Sequence, residues 1–274
     1  MNRWLQAKLP DKTKRQKKSE AGYTITEVMI VLVVSAAMFT AIVVGFRGRQ
    51  AEVEFTQAVR NFEAKIQNMQ SDVVNGYYPN GFACTASGVS RPNVNNSSVS
   101  TDPGTQINCI FMGKLWISDT SSSEVRTILG KRQVSGVDIT TTNNNLRQIN
   151  RDGLADIYNH SFGLEIRQVF AADGITHLGV FGYLFQLSGG VATDSSSSGK
   201  TILLYGLPNS DLDHNLLASG NELDNLQLQP NGILICLRGA NGRRAQIRIG
   251  ESGSQTSINT EINIGPAEIP CGNA

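Results

Sequence analysis

The stretch VMIVLVVSAAMFTAIVVGF, which runs from Val28 to Phe46, decides the fold of this chain. None of its 19 residues is charged, although the whole protein carries 24 Lys and Arg and 23 Asp and Glu. An α-helix rises about 1.5 Å per residue, so this stretch would be roughly 28 Å long, close to the thickness of a bilayer's hydrocarbon core. We therefore expect it to cross a membrane once.

Basic residues are concentrated before this stretch. Residues 1–22 contain seven Lys and Arg and two Asp and Glu, a net charge of +5, which leaves 17 basic and 21 acidic residues, or −4, for the rest of the chain. Positive charge beside an apolar span marks its cytoplasmic side. The sequence thus predicts a single-pass cytoplasmic membrane protein, with the N-terminus inside the cell and everything after Arg47 outside.

Two ordinary explanations of the apolar stretch compete with a specialised one. A secretory signal peptide has a shorter apolar region before its cleavage site, whereas Ser35-Ala36-Ala37 lies in the middle of this span. A generic membrane anchor fits the length but leaves Glu27 unexplained at the edge of the span. Burying that carboxylate in lipid without a partner would cost on the order of a few kcal/mol, so Glu27 indicates a partner.

The residues around Glu27, GYTITEVMIVL from Gly22 to Leu32, resemble the prepilin signal of type IV pilins and type II secretion pseudopilins. In that family a basic leader ends in glycine, prepilin peptidase cuts after it, and an acidic residue is the fifth of the mature chain. The resemblance implies cleavage between Gly22 and Tyr23 and N-methylation of the new Tyr23 amine. It also implies that Glu27 pairs with the Tyr23 amine of another pilin subunit, in a filament at the cell surface or in the periplasm.

The chain departs from the commonest family pattern in several ways. Tyr23 replaces the usual Phe, Thr26 replaces an apolar residue, and the span lacks the Pro that kinks many major pilins. Together with a head of almost 200 residues, these departures favour a minor or tip-associated subunit over the bulk subunit of the filament.

Beyond the span, apolar residues recur at intervals of four and three, which places them on one side of a helix. They are Phe55, Val59, Phe62, Ile66, Met69 and Val73. No proline interrupts residues 23–78, so the sequence predicts one helix of some 50 residues, ended by Asn75-Gly76 and Pro79-Asn80-Gly81. We expect this apolar stripe to pack on the protein's own head rather than to form a coiled coil.

Residues 79–274 show short alternating runs between turn residues, a pattern typical of β-strands. The predicted strands are Cys109–Ile117, Val125–Leu129, Phe162–Phe170, His177–Leu187, Thr201–Tyr205, Ile233–Arg238 and Ala245–Ile249, and residues 236–249 predict a hairpin. The predicted fold class is α+β, with a long N-terminal helix packed on an antiparallel sheet. Its parts are a leader (1–22), a membrane helix (23–46), an amphipathic continuation (47–78) and an exported head (79–274).

All four cysteines lie in the part predicted to be exported. Three pairings exist, and proximity in sequence favours Cys84–Cys109 and Cys236–Cys271. Each bond would contribute about 3–4 kcal/mol in the entropic model. Reduced, buried thiols are the alternative, because the sequence does not fix the redox state of the compartment.

The sequence contains no recognisable catalytic or zinc-binding motif, so we expect a structural protein without a cofactor rather than a membrane-tethered enzyme. One loop approaches the calcium-binding pattern of an EF-hand, because oxygen-bearing residues fall at its positions 1, 3, 5, 9 and 12. They are Asp211, Asp213, Asn215, Ser219 and Glu222. Leu216 stands where that loop needs Gly, so a solvated acidic turn is the default interpretation.

Four arginines, Arg238, Arg243, Arg244 and Arg248, cluster on the predicted C-terminal hairpin. This hairpin is similar to that of the H-type pseudopilin and FimT-like group, which implies a patch that contacts DNA phosphates during uptake. The alternative is a charged, solvent-exposed edge that resists aggregation, and no aromatic residues accompany the arginines for base stacking. An adhesion or DNA-uptake subunit is therefore the alternative to a purely structural role.

Overall fold

The computed structural model describes the greater part of the chain after residue 21. The described residues are 22–76, 83–85, 92–95, 109–131, 133–134, 137–138, 146–148, 155–187, 200–208, 222–240, 242–251, 254–265 and 271. They belong to two compact units, one up to Arg49 and one from Gln50 onward. The architecture is α+β, as predicted, with a long N-terminal helix and antiparallel sheets.

A single α-helix, α1, extends over 50 residues, Ile25–Val74. The helix ends at Val74 and is followed by Gly76, whose φ of +67° is left-handed and suits glycine best. The prediction of one helix that contains both the span and the stripe is confirmed.

In the second unit, the stripe of α1 forms the centre of the hydrophobic core. Its six predicted residues are all buried, with at most 5% of each exposed. Phe62 shows the packing best, because its ring meets Trp116 edge to face at a centroid distance of 5.3 Å. The stripe is therefore buried by the chain's own sheets, and the prediction that it packs on the head is confirmed.

The larger sheet is antiparallel and has seven strands in the order β12-β11-β10-β3-β4-β7, with β8 also paired to β4. Its strands are β3 (Cys109–Ser118), β4 (Ser122–Lys131), β7 (Leu146–Gln148), β8 (Asp156–Asn159), β10 (Leu178–Leu187), β11 (Lys200–Pro208) and β12 (Gln227–Leu228). Trp116, Phe181 and Tyr183 of this sheet are fully buried and belong to the same core as the stripe.

The smaller sheet has four antiparallel strands in the order β15-β14-β13-β9. They are β9 (Glu165–Ala171), β13 (Ile233–Arg238), β14 (Arg244–Ile249) and β15 (Ile258–Ile262). Strands β13 and β14 pair from Ile233↔Ile249 to Arg238↔Arg244, which confirms the predicted hairpin. The described residues also include two short pairs, β1 (Ala83–Thr85) with β2 (Asn93–Asn95), and β5 (Gln133–Val134) with β6 (Val137–Asp138).

The segment before β9 differs from the prediction. Instead of beginning a strand, Phe162 lies in a 3-10 turn, Ser161–Gly163, with a left-handed φ of +54°. For a residue with a Cβ atom this backbone conformation costs about 1–2 kcal/mol. The side chain of Phe162 is consequently directed away from the core and is 50% exposed.

One predicted disulfide is present in the described part of the chain. Cys236 of β13 is bonded to Cys271, with a Cα–Cα distance of 5.2 Å. Cys109 is disulfide-bonded too, but the side chain of Cys84, its predicted partner, lies outside the described residues. The bond places Cys271 against Phe170 and Leu234, on the side of the smaller sheet away from α1.

Side-chain contacts at both ends of its buried part fix the direction of α1 along the sheets of the second unit. At one end, Glu52 lies 3.5 Å from Arg243, and the ring of Phe55 fills the space beside Gly239, where an added Cβ would come within 2.6 Å of it. Towards the other end, Asp72 accepts a hydrogen bond of 2.7 Å from the buried Lys114.

Candidate functional site

The start of α1 is a capping box that Thr24 and Glu27 form together. The Glu27 N–H donates to Thr24 Oγ1 at 3.3 Å, and the Thr24 N–H donates to Glu27 Oε2 at 3.1 Å. This reciprocal pair satisfies two of the backbone donors that a helix start leaves without partners. The Thr-x-x-Glu pattern is visible in the sequence, so Glu27 has a capping role in addition to the predicted role in assembly.

The capping box leaves Glu27 able to bind a cation. The bonds to Thr24 use Oε2, and the side chain is exposed. Within the described residues, no bond to Oε1 is present. A helix N-terminus favours a negative charge, and Oε1 is placed to accept a hydrogen bond from an amine.

Gly22 and Tyr23 precede the helix and adopt no regular secondary structure. Both residues are exposed, and no atom lies within 4 Å of the position of a Cβ on Gly22. The peptide bond between them is therefore accessible to a peptidase. The rest of the predicted leader lies outside the described residues.

The helix after Glu27 exposes an apolar surface on all sides. None of its most apolar window of 18 residues is buried, and α1 is the one helix in the described part of the chain that is long and apolar enough to cross a membrane. An apolar helix of this length with no buried side is suited to lipid rather than water.

The structure does not bring the four predicted arginines into one uniform patch. Arg238 and Arg244 lie opposite each other on β13 and β14. Arg243, in the turn between them, pairs with Glu52 and donates to Asn263 Oδ1 at 3.3 Å. Arg248 lies 3.2 Å from Glu251. Arg243 and Arg248 thus have acidic neighbours, and DNA binding stays a prediction.

A Ser–His pair that the sequence analysis missed is present beside the stripe. Ser123 Oγ and His160 Nε2 are 2.9 Å apart, and the His160 ring stands edge to face with Phe62 at 5.5 Å. A serine beside a histidine is one requirement for nucleophilic catalysis. However, Ser123 is completely buried, so its hydroxyl cannot meet a substrate, and the pair instead joins β4, the end of β8 and α1.

Burial lowers the pKa of His160, while backbone groups of Thr120 and Leu164 and the carboxylate of Asp119 oppose this shift less strongly. The Nδ1 atom of this ring is buried, and among the described residues no group meets it at full hydrogen-bond geometry. A protonated His160 would therefore carry a poorly solvated charge beside Phe62.

We expect this histidine to make the protein less stable in weak acid. Because the folded-state pKa lies below the unfolded value near 6.5, the unfolded chain binds more protons, and the stabilisation present above pH 6.5 is lost as the pH falls through the folded-state pKa. Equilibrium unfolding measured from pH 8 to pH 5 should show this loss in the parent and not in His160→Gln. The matched control is His177→Gln, at an exposed histidine. A slope that persists in His160→Gln would contradict the assignment.

The predicted calcium loop falls almost entirely outside the described residues. Asp211, Asp213, Asn215 and Ser219 are not described, and Glu222 begins a 3-10 helix, Glu222–Asn225. In the described ranges, no group of three His, Cys, Asp or Glu side chains is placed to hold a metal ion.

Comparisons with protein-family models, with curated proteins and with solved structures find no match to this chain. A functional proposal for the chain therefore depends on its own residues, and on three features above all. These are the accessible Gly22-Tyr23 bond, the capped Glu27 and the apolar surface that follows.

Proposed function

We propose that the chain is a structural subunit of a type IV pilus or of a type II secretion-like pseudopilus. Prepilin peptidase cleaves it after Gly22, and the subunit is assembled through α1. The observation that carries this proposal is the order of features along one helix. An accessible Gly-Tyr bond is followed by an acidic residue in the first turn, then by an exposed apolar segment, and the same helix then supplies the core of the head.

In this proposal the subunit is stored in the cytoplasmic membrane before assembly. The +5 leader keeps the N-terminus inside, and the head faces outward. The Cys236–Cys271 bond supports an exported head, because disulfides persist in oxidising compartments and are rare in the cytosol. The large head and the span without proline favour a minor or tip-associated subunit.

Glu27 has two successive partners in this proposal. Before assembly, the bonds with Thr24 reduce the cost of holding a carboxylate at the edge of the membrane. During assembly, the methylated amine of Tyr23 on a neighbouring subunit pairs with the same carboxylate, and desolvation makes the pair stronger than it would be in water.

Cleavage provides the direct test. Coexpression of the full chain with prepilin peptidase is expected to give a protein that begins at Tyr23 and carries one added methyl group, as read by mass spectrometry of its N-terminal peptide. Gly22→Val should prevent the cut, whereas Gly45→Ala, at another exposed glycine of the same segment, should be processed normally. An intact Met1 in the presence of the peptidase, or a cut near Ala37, would overturn the proposal.

A further inference from the structure

The second unit has two ends that differ in shape and chemistry. The hairpin end contains the turn between β13 and β14, the start of β9, and Glu52 of α1, which lies beside Arg243. The turn end lies at the opposite end of the same strands, where residues 172–176 join β9 to β10. The seven residues of β9 separate the two ends by about 23 Å.

The hairpin end presents an exposed aromatic ring. Phe162 is held outward by its left-handed backbone, and the neighbouring Gly163 lies against Ala240 of the hairpin turn, where an added Cβ would come within 3.2 Å. Arg238 stands nearby at the end of β13 and is partly exposed, and within the described residues it makes no ion pair. This end therefore offers an apolar group beside a positive charge.

The turn end presents an exposed aliphatic side chain on a rigid support. Ile175 is 78% exposed. Its turn is held by Asp173, which accepts hydrogen bonds of 2.9 Å from the backbone of Ile175 and of Thr176, and another from the Thr176 hydroxyl. The Asp173 carboxylate makes no ion pair among the described residues. This end offers an apolar group beside a negative charge.

We propose that the hairpin end of one subunit docks on the turn end of a second copy of this chain, with Phe162 packed against Ile175 and Arg238 near Asp173. The two surfaces differ, so the contact is heterologous, and a heterologous contact whose rotation does not close continues into an open filament. This inference rests on the proposed function and adds the surfaces through which the heads meet.

The ends match in two independent respects. Each exposes a large apolar side chain, Phe162 or Ile175, and beside it a charge, Arg238 or Asp173, that has no ion-pair partner in the described part of its own chain. The left-handed backbone of Phe162 is a further indication that this side chain contacts another molecule. In the monomer the side chain is half-exposed, so its packing does little to offset the backbone strain.

Photo-cross-linking within assembled filaments tests the contact. Phe162 is replaced by p-benzoylphenylalanine in the full chain, filaments are sheared from cells and irradiated, and the cross-linked peptides are identified by mass spectrometry. We expect a cross-link to residues 172–176. It has to join two molecules, because β9 holds these positions apart within one chain. The control probe is placed at Ile157, which is 68% exposed on β8 and belongs to neither end.

A matched pair of substitutions then measures the contribution of Ile175. Ile175→Ser should reduce the cross-linked yield at least about tenfold, because it removes the apolar side chain that packs against position 162, whereas Ile157→Ser should leave the yield unchanged. Phe162→Gly suits the left-handed backbone and should fold at least as well as the parent, yet it should weaken filaments against shear.

The outcomes separate this inference from the proposed function. Filaments that form but give no cross-link to residues 172–176 overturn the head contact and leave the filament role standing. A cross-link from position 162 to lipid or to a different protein also overturns it. If the parent chain enters no filament at all, the proposed function fails and the head contact fails with it.

Discussion

Replacing Phe62 with alanine is expected to lower the free energy of unfolding by about 3–5 kcal/mol, the usual cost of truncating a buried aromatic side chain. Phe62 is 5% exposed and touches Trp116 on β3 as well as His160 after β8. Its removal would leave a cavity where α1, the larger sheet and the Ser123–His160 pair meet. Among the described residues, Phe62 is the stripe position whose ring contacts two separate segments of the head.

The measurement follows from the composition of the chain. The protein has two tryptophans, Trp4 in the predicted leader and Trp116 against Phe62. In the processed subunit, Trp116 would therefore be the single tryptophan, and its fluorescence would report on unfolding by denaturant in detergent micelles. Val53→Ala is the matched control, since Val53 is exposed on the same helix, and we expect it to cost less than about 0.5 kcal/mol. Equal losses for both variants would show that the stripe is not the core of the head.

The second large effect is expected from Glu27→Gln, which should abolish incorporation into filaments while leaving membrane insertion intact. This substitution separates the two roles of Glu27. Glutamine is accepted in a capping box in place of glutamate, so the start of α1 should be preserved. The negative charge that would attract the Tyr23 amine of another subunit is lost, and the N-terminal cation would then enter the filament core without a partner.

Filaments sheared from cells and probed by immunoblot give the readout, with membrane fractionation to confirm insertion. Glu54→Gln serves as the control, because it makes the same chemical change on the same helix, beyond the apolar segment. Normal incorporation of Glu27→Gln would show that Glu27 is only a helix cap and would remove the main support for the assembly role.

The parts of the fold with a strong repeat in the sequence were predictable. The spacing of four and three from Phe55 to Val73 indicated a single buried face, and alternation along residues 233–238 and 245–249 indicated the hairpin. In both cases several residues follow the same periodic pattern, so one residue that departs from it does not change the predicted secondary structure. The Cys236–Cys271 bond followed from proximity in sequence.

The parts that depend on a few residues or on distant contacts were not predictable in this way. Strand β15 contains only two strongly apolar residues in five, and pairing with β14 rather than its own pattern defines it. Phe162 looked like the start of a strand because aromatic residues favour strands, yet the chain turns there. The burial of Lys114 depends on Asp72, 42 residues away in sequence.

In the candidate site, too, only the residues that are adjacent in sequence could be predicted. Gly22, Tyr23 and Glu27 are adjacent in sequence, so their relation could be interpreted without a structure. Ser123 and His160 are brought together by the pairing of β8 with β4, and the four arginines separate because the turn residue Arg243 reaches back to Glu52 while Arg238 and Arg244 remain on the strands.

The bond between Cys236 and Cys271 has a mechanical consequence. It closes a loop of 35 residues that contains the last strands of the smaller sheet. Under tension along the chain, these residues cannot be drawn out, whereas the reduced protein could release roughly 120 Å of extended chain from the same segment. A pulling experiment on oxidised and reduced protein would show this difference as a shorter contour length for the oxidised form, so the disulfide limits how far the protein can lengthen under load.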